Sequence, residues 1–289
     1  MEVIKQQHGA DEQARLWNGH AGHAWVDVQA TLDQMFAPLA DLLVEAASQL
    51  AAGRVLDIGC GTGATTLAVA RLNSAQDGQC VGIDISAPMI DAARNRAEKE
   101  GSHARFICAD ARTHAFEAAS FDLLISRFGV MFFDDPVGAF INLRHAATDD
   151  AGLRFIAWRS AGGNPFMTTA ERAAAPLLPK LPPRTPGGPG QFAFADRQRV
   201  EDILQESGWH GIDIRPIDVT CTLPEKELLR YLSQLGPVGK QLQEEDAQTR
   251  SHVIAAVRPA FEPYVHGDEV RFTAACWMVA ATASIQRRL

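Results

Sequence analysis

Cys-x-x-Cys pairs are absent from this chain, and tyrosine occurs only twice in 289 residues. No apolar run approaches the roughly 18 consecutive residues that a membrane-spanning helix requires. The longest candidate, Ala274 to Ile285, contains Thr and Ser and is far too short. The first residues, MEVIKQQHGADEQARLW, have no apolar core followed by a small-residue cleavage site, so neither a secretory signal nor an anchor is expected and the expected location is the cytoplasm. Cysteine is sparse: Cys60, Cys80, Cys108, Cys221 and Cys276 form an odd set, four of them in apolar, strand-like runs, which reads as buried reduced thiols rather than a disulfide framework. Positive charge is also in deficit, with 27 Lys and Arg against 35 Asp and Glu for a net charge of −8. The basic residues are scattered, which argues against a nucleic-acid surface, because phosphate contacts need clustered cations.

What the chain does have is a regular alternation of elements. Apolar residues from Asp33 to Ala51 (Met35, Phe36, Leu39, Leu42, Leu43, Ala46, Leu50) recur at three- and four-residue spacing, one face of a helix that stops at Gly53. A short apolar strand over Arg54 to Ile58 follows, then a glycine turn and a helix from Thr65 to Leu72. Strand Cys80 to Asp84 leads to a helix capped by Ser86, with Pro88 in its first turn and Gly101 as its stop. Strands at Ala104 to Cys108, Phe121 to Ser126 and Leu153 to Trp158 come next, with a helix over Pro136 to Ala147. Strands separated by single helices imply parallel pairing with right-handed crossovers.

Beyond Trp158 the composition changes. The stretch PLLPKLPPRTPGGPG between Pro176 and Gly190 reads as a lid or binding loop, because ordinary connections are shorter. A helix over Asp196 to Ser207, a strand-like run from Ile212 to Leu223, two amphipathic helices and a closing strand from Glu269 to about Ala281 complete the pattern.

The sequence VLDIGCGTG, residues 55 to 63, places three glycines in five residues between a strand and a helix, where a ligand can approach the main chain closely. Read loosely, Gly59, Gly61 and Ala64 fit a dinucleotide-binding pattern, so the turn alone does not choose its ligand. Asp57 at the end of the first strand argues against a diphosphate, which a carboxylate would repel, and suits a ligand carrying an ammonium and a sulfonium. Asp84 at the tip of the second strand is placed to accept hydrogen bonds from both ribose hydroxyls. Asp110, in CADA past the third strand, can accept from an adenine amine. Three carboxylates at three successive strand tips, with no Lys or Arg cradle, describe S-adenosylmethionine rather than a phosphorylated nucleotide.

VLDIGCGTG, GIDIS, CADA and FDLLISRFGVMFF together resemble the class I S-adenosylmethionine-dependent methyltransferases, within them the branch similar to the ubiquinone and menaquinone biosynthesis methyltransferases. The resemblance covers about residues 50 to 160. It implies an α/β fold with a Rossmann-like, seven-stranded, mostly parallel sheet, helices on both faces, and Glu269 to Ala281 as an antiparallel strand inserted beside the last parallel ones. By position it implies that Asp57, Gly59 and Gly61 meet the methionine half of the cofactor, with Gly63 also among the cofactor-binding residues. Asp84, Ile85 and Met89 would surround the ribose and adenine, Asp110 and Ala111 the adenine edge, and Ser126 and Arg127 the methionine moiety.

The expected organisation is an N-terminal helical lid region (1–53), a cofactor-binding core (54–160), a Pro/Gly-rich lid loop (161–195) and the remainder of the core (196–289) with a helical insertion at about 224–262. In the lid, WNGHAGHAW offers Trp17 and Trp25 as indole faces near the sulfonium and His20 and His23 as candidate catalytic groups. Asn164, Pro165 and Phe166 read as the start of the second lid. No metal is expected, since the histidines have no recognised zinc spacing. The expected substrate is a small, fairly apolar methyl acceptor, with no nucleic acid or membrane partner. A homodimer stays open, as do modification of RNA or protein and cofactor binding without methyl transfer.

Overall fold

A computed structural model describes residues 12–73, 78–181, 184 and 187–284. Residues 1–11 of the expected N-terminal lid, and 182, 183, 185 and 186 of the expected lid loop, lie outside the described residues. At the centre stand β1 (Arg54–Ile58), β2 (Gln79–Asp84), β3 (Arg105–Cys108), β4 (Phe121–Arg127) and β5 (Ala147–Trp158), all paired in parallel. Their near-continuous apolar sequences follow from helices covering both faces, and β1 is buried at all but its first residue. The remaining strands are β6 (His210–Pro224), the two-residue β7 (Val265–His266) and β8 (Glu269–Thr282). The sheet order is β3-β2-β1-β4-β5-β8-β6, with β7 added on β8, so the seven expected strands are joined by an eighth, short one. β8 runs antiparallel between β5 and β6, as the resemblance implied.

The order reverses between β1 and β4, whose following loops leave the sheet in opposite directions. In open α/β sheets that switch point opens a crevice at the carboxyl ends of the strands. Over it lies the N-terminal segment. Residues 12–18 are helical and lead into α1 (His20–Asp27), followed by the 21-residue α2 (Gln29–Gln49), which buries Leu32, Met35, Phe36, Leu39 and Leu43 as one stripe.

Four expectations are corrected here. Ser86 occupies the N-cap of helix Ala87–Glu100, but its hydroxyl donates to Trp17 O at 2.6 Å instead of capping. The stretch 161–195 is not one loop, because Pro165–Ala174 forms a helix. Pro165 presets φ for its first turn, and Ala, Glu and Arg continue it. Asn164, which begins this stretch, is a strap rather than a lid: its side chain donates to Ala275 O and accepts from Ala275 N, both at 2.9 Å, and so fastens the chain to β8. The insertion between β6 and β8 comprises three helices, Leu228–Gln234, Gly236–Leu242 and Ala247–Val257, and a 3-10 segment, Arg258–Tyr264, where two helices were expected.

Candidate active site

The glycine turn closes over the ends of β1 and β2. Gly59 N and Cys60 N both donate to Ile83 O, at 2.8 and 3.1 Å, and Gly61 N donates to Asp84 Oδ2 at 2.8 Å. Gly59 has φ +64°, and a Cβ there would stand 2.6 Å from Gly129 Cα, so the loops after β1 and β4 touch only because neither carries a side chain.

A cavity of about 750 Å³ opens at this junction. Its wall brings together Gly59, Gly61, Asp84, Ile85, Met89, Asp110, Ala111 and Arg127 from the core with Trp17, His20 and Trp25 from the N-terminal segment. Four expected residues stand elsewhere. Asp57 is 1% exposed and lies outside the cavity wall, its Oδ2 accepting from Thr66 Oγ1 at 2.6 Å, so it braces the loop. Gly63 lies against the Phe106 ring, where a Cβ would come within 2.9 Å. Ser126 is fully buried and outside the cavity wall; its hydroxyl donates to Ile58 O at 2.7 Å and accepts from Gly129 N at 3.1 Å, tying β4 to β1. His23 is exposed, with Nδ1 2.9 Å from Gly19 O.

Burial dominates the electrostatics. It pushes the Asp57 carboxyl up to about 7, with the Thr66 hydroxyl and the Arg127 charge opposing the shift. Because the folded value lies above the unfolded one, near 3.9, this contribution to stability is whole below about pH 4 and lost as pH rises through about 7. We expect urea midpoints to fall between pH 5 and pH 8 and Asp57→Asn to remove most of that fall. An undiminished slope in the variant would show that other groups cause it. Asp84 is also raised by burial, although Ser86 N and Gly61 N donate to it.

Several contacts in and behind the wall carried no signal in the sequence. Arg112 holds Asp110 through Nε and Nη2, the latter at 2.6 Å, and also pairs with Asp134, so the Asp110 carboxylate is oriented by a guanidinium. Asn18 donates to Ile85 O at 3.0 Å and accepts from Ala87 N at 2.8 Å, pinning the N-terminal segment to the tip of β2. Trp17 stands edge-on to Phe132, with centroids 4.9 Å apart. The Arg127 guanidinium lies over the Phe36 ring at 5.7 Å, and its one hydrogen bond among the described residues goes to Phe36 O at 3.4 Å; burial lowers its pKa.

The rest of the cavity is aromatic. Phe128, in the left-handed region at φ +69°, stacks on Trp158 at 4.5 Å and 9°, and Phe166, Tyr231 and Phe261 close the far side. A bulky residue held at positive φ is costly and tends to persist where a site requires it. Among the described residues the Tyr231 hydroxyl meets only the Met167 sulfur, at 3.7 Å, and burial pushes its pKa up. Cys60, Cys80, Cys221 and Cys276 are buried free thiols, while Cys108 is exposed. Among the described residues no group of three His, Cys, Asp or Glu could hold a metal, and no helix is long and apolar enough to cross a membrane.

Comparison with known proteins agrees with this geometry. The aklanonic acid methyltransferase DauC of Streptomyces sp. (strain C5) is 38% identical over 153 residues, which make up 51% of this chain and 66% of that protein. The 27-O-demethylrifamycin SV methyltransferase of Amycolatopsis mediterranei is 36% identical over 118 residues, 40% of this chain and 42% of that protein. The demethylmenaquinone methyltransferase of Thermus thermophilus is 37% identical over 92 residues, 32% of this chain and 41% of that protein. The match thus spans less than two thirds of each of these relatives. In fold, the YcgJ protein of Bacillus subtilis superposes with a TM-score of 0.56 at 16% identity, over 85% of this chain and 98% of that one. Residues 55–149 match the family described as a methyltransferase domain. The stretch from β1 into the start of β5 is therefore a methyltransferase domain, built on a Rossmann-like sheet.

Proposed function

We propose that the whole protein transfers a methyl group from S-adenosylmethionine to a small, largely apolar acceptor with a flat ring. The observation that carries this reading is one continuous cavity that joins the glycine turn and Asp84 to the aromatic chamber around Phe128 and Trp158. Ligand pockets commonly span about 300 to 1,000 Å³, so its roughly 750 Å³ has room for a cofactor and a modest acceptor together. The donor set suits the cofactor: Asp84 faces a ribose position, Asp110 an amine, and Ile85, Met89 and Ala111 offer apolar faces to an adenine. When bound, S-adenosylmethionine supplies an electrophilic methyl group on a positively charged sulfur. The chain's own task is to align the acceptor beside that methyl and exclude water, which Trp17 and Trp25 do from above and the insertion helices from the side.

The names of the relatives point the same way, since they refer to aklanonic acid, 27-O-demethylrifamycin SV and demethylmenaquinone, each a small molecule. The net charge of −8 disfavours RNA as the acceptor. Calorimetric titration with S-adenosylmethionine, with its demethylated product and with NAD tests the reading. We expect micromolar binding of the first two and none of NAD. Binding of NAD alone would replace the proposal with an oxidoreductase reading, and cofactor binding without methyl transfer to any low-molecular-weight acceptor would reduce the protein to a binding module.

A further inference from the structure

We infer that His20 accepts the acceptor's proton, and hence that the acceptor presents an acidic hydroxyl, phenolic or enolic, to the methyl group. The inference rests on the methyltransferase reading above.

His20 is the one imidazole in the cavity wall among the described residues, and its Nε2 lies 3.2 Å from Gln234 O. A carbonyl oxygen only accepts, so in neutral His20 the proton sits on Nε2 and Nδ1 carries the free lone pair. Nδ1 has no hydrogen-bond partner among the described residues. Gln234 ends helix Leu228–Gln234, so the insertion that walls the acceptor chamber also sets the tautomer of the histidine arriving from the N-terminal segment. A base held by a third group is the arrangement that general-base chemistry uses.

The carboxylates in the wall are committed or exposed. Asp84 takes two backbone N–H donors, Asp110 is held by Arg112 and Glu171 by Arg184, with Nε to Oε2 at 2.9 Å. Glu244 is exposed at the rim. Tyr231, raised by burial, can donate a proton but not take one. A neutral amine attacks through a lone pair it already has, whereas a phenol or enol becomes a strong nucleophile only as it gives up its proton. The thinly partnered Arg127 guanidinium adds a positive charge to the same cavity, which favours the oxyanion. In the step, the acceptor's O–H bond breaks, its electron pair stays on oxygen, and the proton forms an N–H bond at Nδ1. The resulting imidazolium remains anchored to Gln234 O.

The test uses 4-nitrophenol, a phenol acidified by its nitro group into the range of a histidine, added to protein saturated with S-adenosylhomocysteine, which has no methyl to give. At a pH near 6 we expect the bound dye to show the absorbance of its anion, and His20→Gln to lower the ratio of anion to neutral dye by about tenfold, the equivalent of one pKa unit. S-adenosylhomocysteine affinity should not change, which separates a lost base from a lost fold. In turnover, His20→Gln should cost phenol about 10² to 10⁴-fold in kcat and 4-nitrophenol much less, because the more acidic acceptor needs less help. An unchanged dye spectrum, or an equal loss for both phenols, overturns the inference. Failure of the wild-type protein to bind S-adenosylhomocysteine overturns the methyltransferase reading instead.

Discussion

Gly59→Ala is expected to lower stability by about 2 to 5 kcal/mol and to abolish measurable cofactor binding. Two costs combine at this position. An L residue in the left-handed region costs roughly 1 to 2 kcal/mol, and the added methyl would stand 2.6 Å from the Gly129 backbone. Forcing an atom into a packed site costs a further 1 to 3 kcal/mol or so, and here the opposing atom is main chain with no rotamer to escape into. Moving the loop after β1 away from the loop after β4 relieves the clash but opens the crevice that the two loops bound. Thermal melting and calorimetry on the same sample check both effects. Gly101→Ala gives the comparison, since Gly101 also has positive φ but a Cβ there meets nothing within 4 Å. Equal losses in the two variants would show that backbone strain alone, and not the contact with Gly129, accounts for the effect.

Asp84→Ala is expected to weaken S-adenosylhomocysteine binding by about 10- to 150-fold, or roughly 1.5 to 3 kcal/mol, the range for hydrogen bonds to a charged group. It should also lower stability, because the carboxylate accepts from Gly61 N at 2.8 Å and from Ser86 N at 2.9 Å, and both donors would lose their acceptor. Stranding buried polar groups costs about 1 to 3 kcal/mol each. Asp84→Asn keeps one carbonyl oxygen and should lose less of each. The two readouts separate the two roles: a drop in stability with unchanged affinity would leave Asp84 as a brace for the turn and remove it from ribose binding.

The parallel core was legible because its signals are local. Apolar runs of strand length, glycine and proline at element ends and a three-glycine turn each report their own backbone, and the strand tips follow from them. The same local signals failed where a partner distant in sequence decides the outcome. Asp57 and Ser126 sit at strand ends like Asp84 and Arg127, but strand alternation and the approach of Thr66 and Gly129 turn the first two away from the cavity. Ser86 stood at a good cap position, and its hydroxyl went to Trp17 O, 69 residues away. The Pro-rich stretch hid the helix Pro165–Ala174 because proline at its first position resembles a loop signal until the following residues are packed.

His20 and His23, three residues apart, were equivalent candidates in the sequence. The packing of α1 against the insertion separates them, placing one in the cavity wall beside Gln234 O and leaving the other in solvent. By itself the sequence determined the order of elements from β1 to β5, the glycine turn and the carboxylates at the strand tips, because each depends on backbone conformations set by near neighbours. The shape and chemistry of the aromatic chamber and its rim, with Phe128 stacked on Trp158, Arg112 paired with Asp134 and Tyr231 brought in by the insertion, were decided only by the tertiary structure. Side chains tens to hundreds of residues apart meet there, and no periodicity in the chain records that meeting.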